Sequence, residues 1–201
     1  LGGLSFTTTS GISEVSSLSS TEEHVCMSQN SGEIYCWGEG EYSKLAGTGT
    51  SDQYSPTKSS SSSSSNYDKL RDTNTVVTAT EHSCSVTNSG KVYCWGYGAE
   101  GRLGQGSTSN SNSPVLATMP NHESTQMIAT HDSHTCVLND NGNIYCWGEN
   151  SDGELGIGYD GSYQATPHKI QLPEGRIGKS ISVGDGFSCA IINNGSVTCW
   201  G

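Results

Sequence analysis

Four segments decide the fold: CMSQNSGEIYCWG (residues 26–38), CSVTNSGKVYCWG (84–96), CVLNDNGNIYCWG (136–148) and CAIINNGSVTCWG (189–201). Each holds two cysteines ten positions apart, and the four pairs use every cysteine of the chain. First members of successive pairs lie 58, 52 and 53 residues apart, which marks an internal repeat. Within each segment a short β-prone run meets Asn-Ser-Gly or Asn-Gly, and a second run ends in Cys-Trp-Gly. Asn and Gly tolerate the positive φ that a tight hairpin loop demands, so each segment reads as a β-hairpin. With the loop Asn30-Ser31-Gly32, Gln29 faces Glu33 and Cys26 faces Cys36.

Cysteines directly opposite each other at a non-hydrogen-bonded site of two antiparallel strands suit a cross-strand disulfide. The predicted bonds are Cys26–Cys36, Cys84–Cys94, Cys136–Cys146 and Cys189–Cys199. Each closes a loop of about eleven residues, for which chain entropy predicts about 2.5 to 3 kcal/mol of stabilisation. The competing chemistry is metal. Structural zinc draws on cysteines about two to four positions apart, completed by a second close pair or by histidines. No Cys-x-x-Cys occurs. Histidine precedes the first cysteine by two positions in three repeats (His24, His82, His134), but the fourth has Phe187, as a space-filling planar side chain would allow. Disulfides are therefore preferred over zinc or free thiols, and they point to an oxidising, extracytoplasmic compartment.

Outside the hairpins a second signature recurs. A leucine stands nine positions after the second cysteine (Leu45, Leu103, Leu155), within glycine-rich runs such as Gly101-Arg102-Leu103-Gly104-Gln105-Gly106. A proline follows (Pro56, Pro114, Pro167), then a β-prone run such as Thr75-Val76-Val77 or Ile181-Ser182-Val183. Short strands with turn punctuation at this spacing are what a propeller blade requires.

The combined pattern of His-x-Cys, Cys-Trp-Gly and Gly-x-Leu-Gly-x-Gly resembles the regulator of chromosome condensation (RCC-type) repeat family, in particular its cysteine-bearing variants in secreted prokaryotic proteins. The resemblance covers nearly the whole chain. It implies an all-β, β-propeller-type repeat array of four-stranded blades, one intra-hairpin disulfide per repeat, within a larger propeller of about seven blades. The founding member's nucleotide exchange on a small nuclear GTPase depends on inserted loops that have no counterpart here. The first repeat departs from the pattern, with Leu45-Ala46-Gly47 and a seven-serine insertion, Ser59, Ser60, Ser61, Ser62, Ser63, Ser64 and Ser65. A flexible surface loop is the preferred reading of that tract over a glycan-bearing patch.

In this reading residues 1–11 are the tail of a preceding blade. Residues 12–70, 71–122 and 123–176 form repeats 1 to 3, and 177–201 form a partial fourth. The chain is thus expected to open inside one blade and close inside another, as a window on a longer array in preference to completion by a neighbouring copy or closure of the four repeats on themselves. Apolar residues make up only 31% of the chain and glycine occupies 26 positions, so bulk burial is thin and the staples matter. Twenty acids against nine bases give a formal charge of −11, a poor basis for binding nucleic acid. No apolar run approaches the length of a membrane span.

The sequence carries none of the common catalytic motifs. There is no Gly-x-Ser-x-Gly elbow and no His-Glu-x-x-His. His24, His82 and His134 recur with the repeat, as structural positions do, whereas His122, His131 and His168 break it without obvious partners. Glu149, Asp152 and Glu154 read as a solvated acidic loop, not a calcium site, and Asn139 to Asn143 as an ordinary turn. Trp37, Trp95, Trp147 and Trp200 could line a sugar site, but their fixed place after cysteine favours blade packing. The sequon Asn194-Gly195-Ser196 could accept a glycan. The expectation is a non-enzymatic extracellular or cell-surface module without cofactor or metal. It would present a rigid surface to a protein, a glycan or copies of itself. The alternatives are a self-assembling subunit of a fibre or surface layer, and an accessory domain of a larger secreted enzyme.

Overall fold

The computed structural model describes residues 12–47, 49–59 and 70–201. Each repeat forms one antiparallel meander. The first sheet comprises β1 (Val15–Ser20), β2 (His24–Gln29), β3 (Ile34–Gly38) and β4 (Gln53–Lys58), hydrogen-bonded in that order. The second comprises β5 (Thr73–Thr78), β6 (His82–Thr87), β7 (Val92–Gly96) and β8 (Ser111–Leu116). The third comprises β9 (Thr125–His131), β10 (His134–Asn139), β11 (Ile144–Gly148) and β12 (Gln164–Lys169). The fourth contains β13 (Gly178–Val183), β14 (Ser188–Ile192) and β15 (Val197–Trp200).

The hairpin register is the one the loop length dictates. Cys26 pairs with Cys36, Met27 with Tyr35 and Ser28 with Ile34, and the other three hairpins follow suit. Cα separations of 4.1–4.2 Å across the cysteine pairs belong to non-hydrogen-bonded sites, and all four disulfides are formed. Glycine is required at the turn for two reasons. Gly32 has φ +81°, and a Cβ there would stand 1.8 Å from the Arg71 carbonyl oxygen of the connection into the next blade. Pro56, Pro114 and Pro167 fall on β4, β8 and β12, the outermost strands, where a missing N–H costs no ladder bond.

Sheets stack face to face, and a separate core fills each of the three interfaces. Between the first and second lie Cys26, Cys36, Leu45, Val76 and Trp95. Between the second and third lie Cys84, Cys94, Leu103, Ile128 and Trp147. The third and fourth meet over Cys136, Cys146, Leu155, Ile181 and Ala190. The first three disulfides thus lie inside interfaces, whereas Cys189–Cys199 sits in the flanking fourth sheet with Cys199 exposed. The repeat leucine plugs the space beneath the tryptophan of the following blade. Strands β6 and β10, covered on both sides, are buried throughout, although their sequences HSCSVT and HTCVLN are rich in hydroxyls. A chain only 31% apolar tolerates this because the hydroxyls of Ser83, Thr87 and Thr135 are hydrogen-bonded, Ser85 being the buried exception.

Candidate functional site

The ends of the strands define two sides of the array. One carries the turns joining first to second strands (21–23, 79–81, 132–133, 184–187) and the long loops leaving the third strands (39–52, 97–110, 149–163). This loop side holds the recurring polar constellation.

Its first part is a relay between blades. His24 Nε2 meets Ser83 Oγ at 2.8 Å, His82 Nε2 meets Thr135 Oγ1 at 3.1 Å, and His134 Nε2 meets Ser188 Oγ at 2.9 Å. In each pair the hydroxyl belongs to the residue that follows the next blade's own histidine position. Ser83 donates onward to the Lys44 carbonyl and Ser188 to the Glu154 carbonyl. The same carbonyls accept the indole N–H groups of Trp95 and Trp200, and the Arg102 carbonyl accepts that of Trp147, each at 2.9 Å. Burial drives the histidines toward neutrality. His24 and His134 are lowered to about 4, the former further by Lys44 and the latter by His131, and His82 lies well below its usual value. Neutral, buried and hydrogen-bonded, these rings are joints. Trp95 and Trp147, 0% exposed, are joints as well and offer no ring to a sugar.

The second part is ionic. Lys44 and Arg102 occupy the same repeat position, one residue before the leucine, and both are buried. Lys44 Nζ binds Glu23, Glu39 (2.6 Å) and the Thr80 carbonyl (3.3 Å). Arg102 binds Glu81 (2.9 Å) and Glu100 (2.6 Å) and lies 4.9 Å over the Tyr97 ring, itself 4.4 Å from Tyr42. Burial works against the Lys44 ammonium, but its two carboxylates outweigh it and raise its pKa. In the third blade that position is Glu154, and Ser133 replaces the turn glutamate.

Several expectations change here. Glu149 and Asp152 lie in a loop, but Glu154 is not solvated: it is 2% exposed and accepts the Asp152 N–H at 2.9 Å. Ser59 is buried, its hydroxyl donating to the Leu45 carbonyl, which removes it from the accessible glycosylation candidates. Ser60 to Ser65 lie outside the described residues. Phe187 is 49% exposed, not packed as filler, because the fourth sheet has no described neighbour on that side. His131 is exposed, His168 makes only a local contact with the Thr166 carbonyl, and His122 sits in a short 3-10 turn, Pro120–His122. The Asn139 run is a turn, its side-chain oxygen accepting the Asn141 and Asn143 N–H groups. Among the described residues no cluster of histidine, cysteine or carboxylate side chains is arranged to hold a metal. No helix there is long and apolar enough to cross a membrane. The relay hydroxyls and the residue before the leucine were invisible as a set in the sequence. The only signal was the series Lys, Arg, Glu at one repeat position.

Disulfide-stapled meanders joined by a repeated relay define a β-propeller-type repeat array. The chain belongs to the regulator of chromosome condensation (RCC1) repeat family, whose pattern matches residues 89–138 and 141–191. The first of these units spans β7 to β10, two strands from each of two neighbouring sheets, so each repeat covalently bridges an interface. The chain is 33% identical over 176 residues to the ultraviolet-B receptor UVR8 of Arabidopsis thaliana, covering 85% of this chain and 38% of that protein. It is 31% identical over 173 residues to the human E3 ubiquitin-protein ligase HERC2, covering 85% of this chain and 3% of that protein. Yeast RCC1 (Prp20), solved bound to Kap60, superposes with a TM-score of 0.79 at 20% identity, over 97% of this chain and 45% of that one. The chain therefore spans less than half the length of these relatives. Proteins built on these repeats mediate protein interaction or regulation.

Proposed function

We propose that this chain is a non-enzymatic, extracellular recognition module whose rigid loop side is its working surface. The observation that carries the reading is a disulfide within every hairpin of the array, with no cysteine left over. Such a set is maintained in oxidising compartments. The relay and the buried cations hold the loop side in one conformation, which lowers the entropy lost when a partner binds. Asn194, in the exposed β14–β15 turn away from the loop side, is a suitable glycan acceptor. The four repeats 12–70, 71–122, 123–176 and 177–201 are part of a larger propeller of about seven blades.

The test is cross-linking of the oxidised, full-length chain at the surface of its own cells. Cross-links from residues of the loop side to one recurrent protein support the reading. Native material that carries free thiols overturns the extracellular assignment. A second reading, a self-assembling structural subunit, rests on apolar side chains exposed on the two flanking sheets: Val15 and Leu18 on β1, Phe187, Ile191 and Val197 around β14 and β15. Regular fibres or sheets in negative stain would select it.

A further inference from the structure

The net charge of the chain is confined to one side. Thirteen of the twenty acids lie in the turns and long loops of the loop side, against two of the nine bases, Lys44 and Arg102. The seven acids and seven bases elsewhere in the sequence cancel. The formal −11 is therefore a property of the loop side alone, and both its cations are already buried in pairs with carboxylates of their own blade.

Within that field the third blade breaks the repeat. The first two blades each place a cation before the leucine, between a turn carboxylate and a loop carboxylate. The third places Glu154 there. A cavity of about 230 Å³ opens at the spot, lined by Glu154, Asp132, Glu149 and Asp152 of the third blade and Asp185 of the fourth. Glu154 is 98% buried within it; among the described residues its carboxylate accepts a hydrogen bond from the Asp152 N–H and has no cationic partner. A carboxylate withdrawn from water without a counter-charge is costly, so the empty position calls for positive charge. Two blades of the same chain show what fills it: an ammonium or guanidinium group on a side chain. The carboxylates are not gathered as metal ligands, and two loop sides of like charge repel.

We infer that the cavity between the third and fourth blades receives a lysine or arginine side chain from a basic polypeptide partner, supplying in trans the cation that Lys44 and Arg102 supply in cis. This rests on the recognition reading above and names the partner's chemistry. The surrounding acidic loops steer the segment and make its association sensitive to salt.

The test uses a fluorescent nonapeptide alternating arginine and glycine, titrated against the full oxidised chain by anisotropy at low and physiological salt. Glu154→Lys restores the pattern of the first two blades and is expected to weaken binding about tenfold or more. Glu41→Lys makes the same charge change on the same side, away from the cavity, and is expected to weaken it about threefold at most. Asp152→Asn and Asp185→Asn, at the exposed rim, each weaken binding and keep the test decisive if Glu154→Lys does not fold. Equal losses for Glu154→Lys and Glu41→Lys overturn the inference in favour of diffuse attraction. Displacement of the peptide by calcium, but not by sodium at matched ionic strength, overturns it in favour of a metal site. Absence of peptide binding overturns it while leaving the recognition reading to the cross-linking experiment.

Discussion

At the scale of single residues, polar groups do work that bulk apolar burial does in richer cores. A histidine ring, a hydroxyl, a main-chain carbonyl and an indole N–H are threaded across the interface between the first and second blades, and none is left facing solvent. Replacing Trp147 by Phe removes the bond to the Arg102 carbonyl and orphans that buried acceptor. The expected cost is about 1 to 3 kcal/mol, read from the urea midpoint. The histidines also set a pH dependence. Their folded pKa values lie below the ordinary 6.5, so the unfolded chain takes up protons first. Stability is complete above about pH 6.5 and declines as pH falls toward about 4, by up to about 3 kcal/mol for each of His24 and His134. Urea titrations at pH 7.5, 6 and 5 should show this slope, and His24→Gln should reduce it. An unchanged midpoint across that range would refute the neutral relay.

At the scale of elements, the hairpin is the unit that the sequence writes most plainly. Its turn residues, loop length and cysteine spacing agree, and together they leave one register. Opening one staple with Cys84→Ser and Cys94→Ser should lower stability by about 2.5 to 3 kcal/mol while keeping the fold, measured by chemical denaturation. The turn glycines tie the hairpin to its neighbour. Gly104 has φ +69°, and a Cβ there would fall 2.8 Å from Trp147 Nε1 of the next blade. Gly104→Ala should therefore cost about 2 kcal/mol or more, since backbone strain and overlap act together. The first repeat already accepts part of that strain: Ala46 holds φ 55° at the matching position.

At the scale of the whole molecule, stability is distributed across interfaces. The two inner sheets are covered on both sides, whereas the first and fourth expose apolar side chains. Arrays of this kind behave as units plus nearest-neighbour couplings. Hydrogen exchange should therefore be slowest in β6 and β10 and fastest in β1 and β15; uniform protection would contradict the interface description. The confinement of charge to the loop side belongs to this scale too, because it emerges only when every blade turns the same end the same way.

The four repeats, the hairpins, their disulfide partners and the propeller-type architecture were legible in the sequence, because they depend on local rules. Loop length sets the register, positive φ selects glycine, and cysteines placed opposite each other bond. The candidate site was not legible. Position in the repeat could not reveal that Lys44, Arg102 and Glu154 point into equivalent buried spaces, nor that Ser83, Thr135 and Ser188 answer the histidines of the preceding blades. Glu154 read as solvated because an acidic, glycine-rich loop ordinarily is. Its burial comes from contacts between residues of different blades, tens of positions apart in the chain. Such contacts arise from the stacking of sheets, which only the tertiary structure decides.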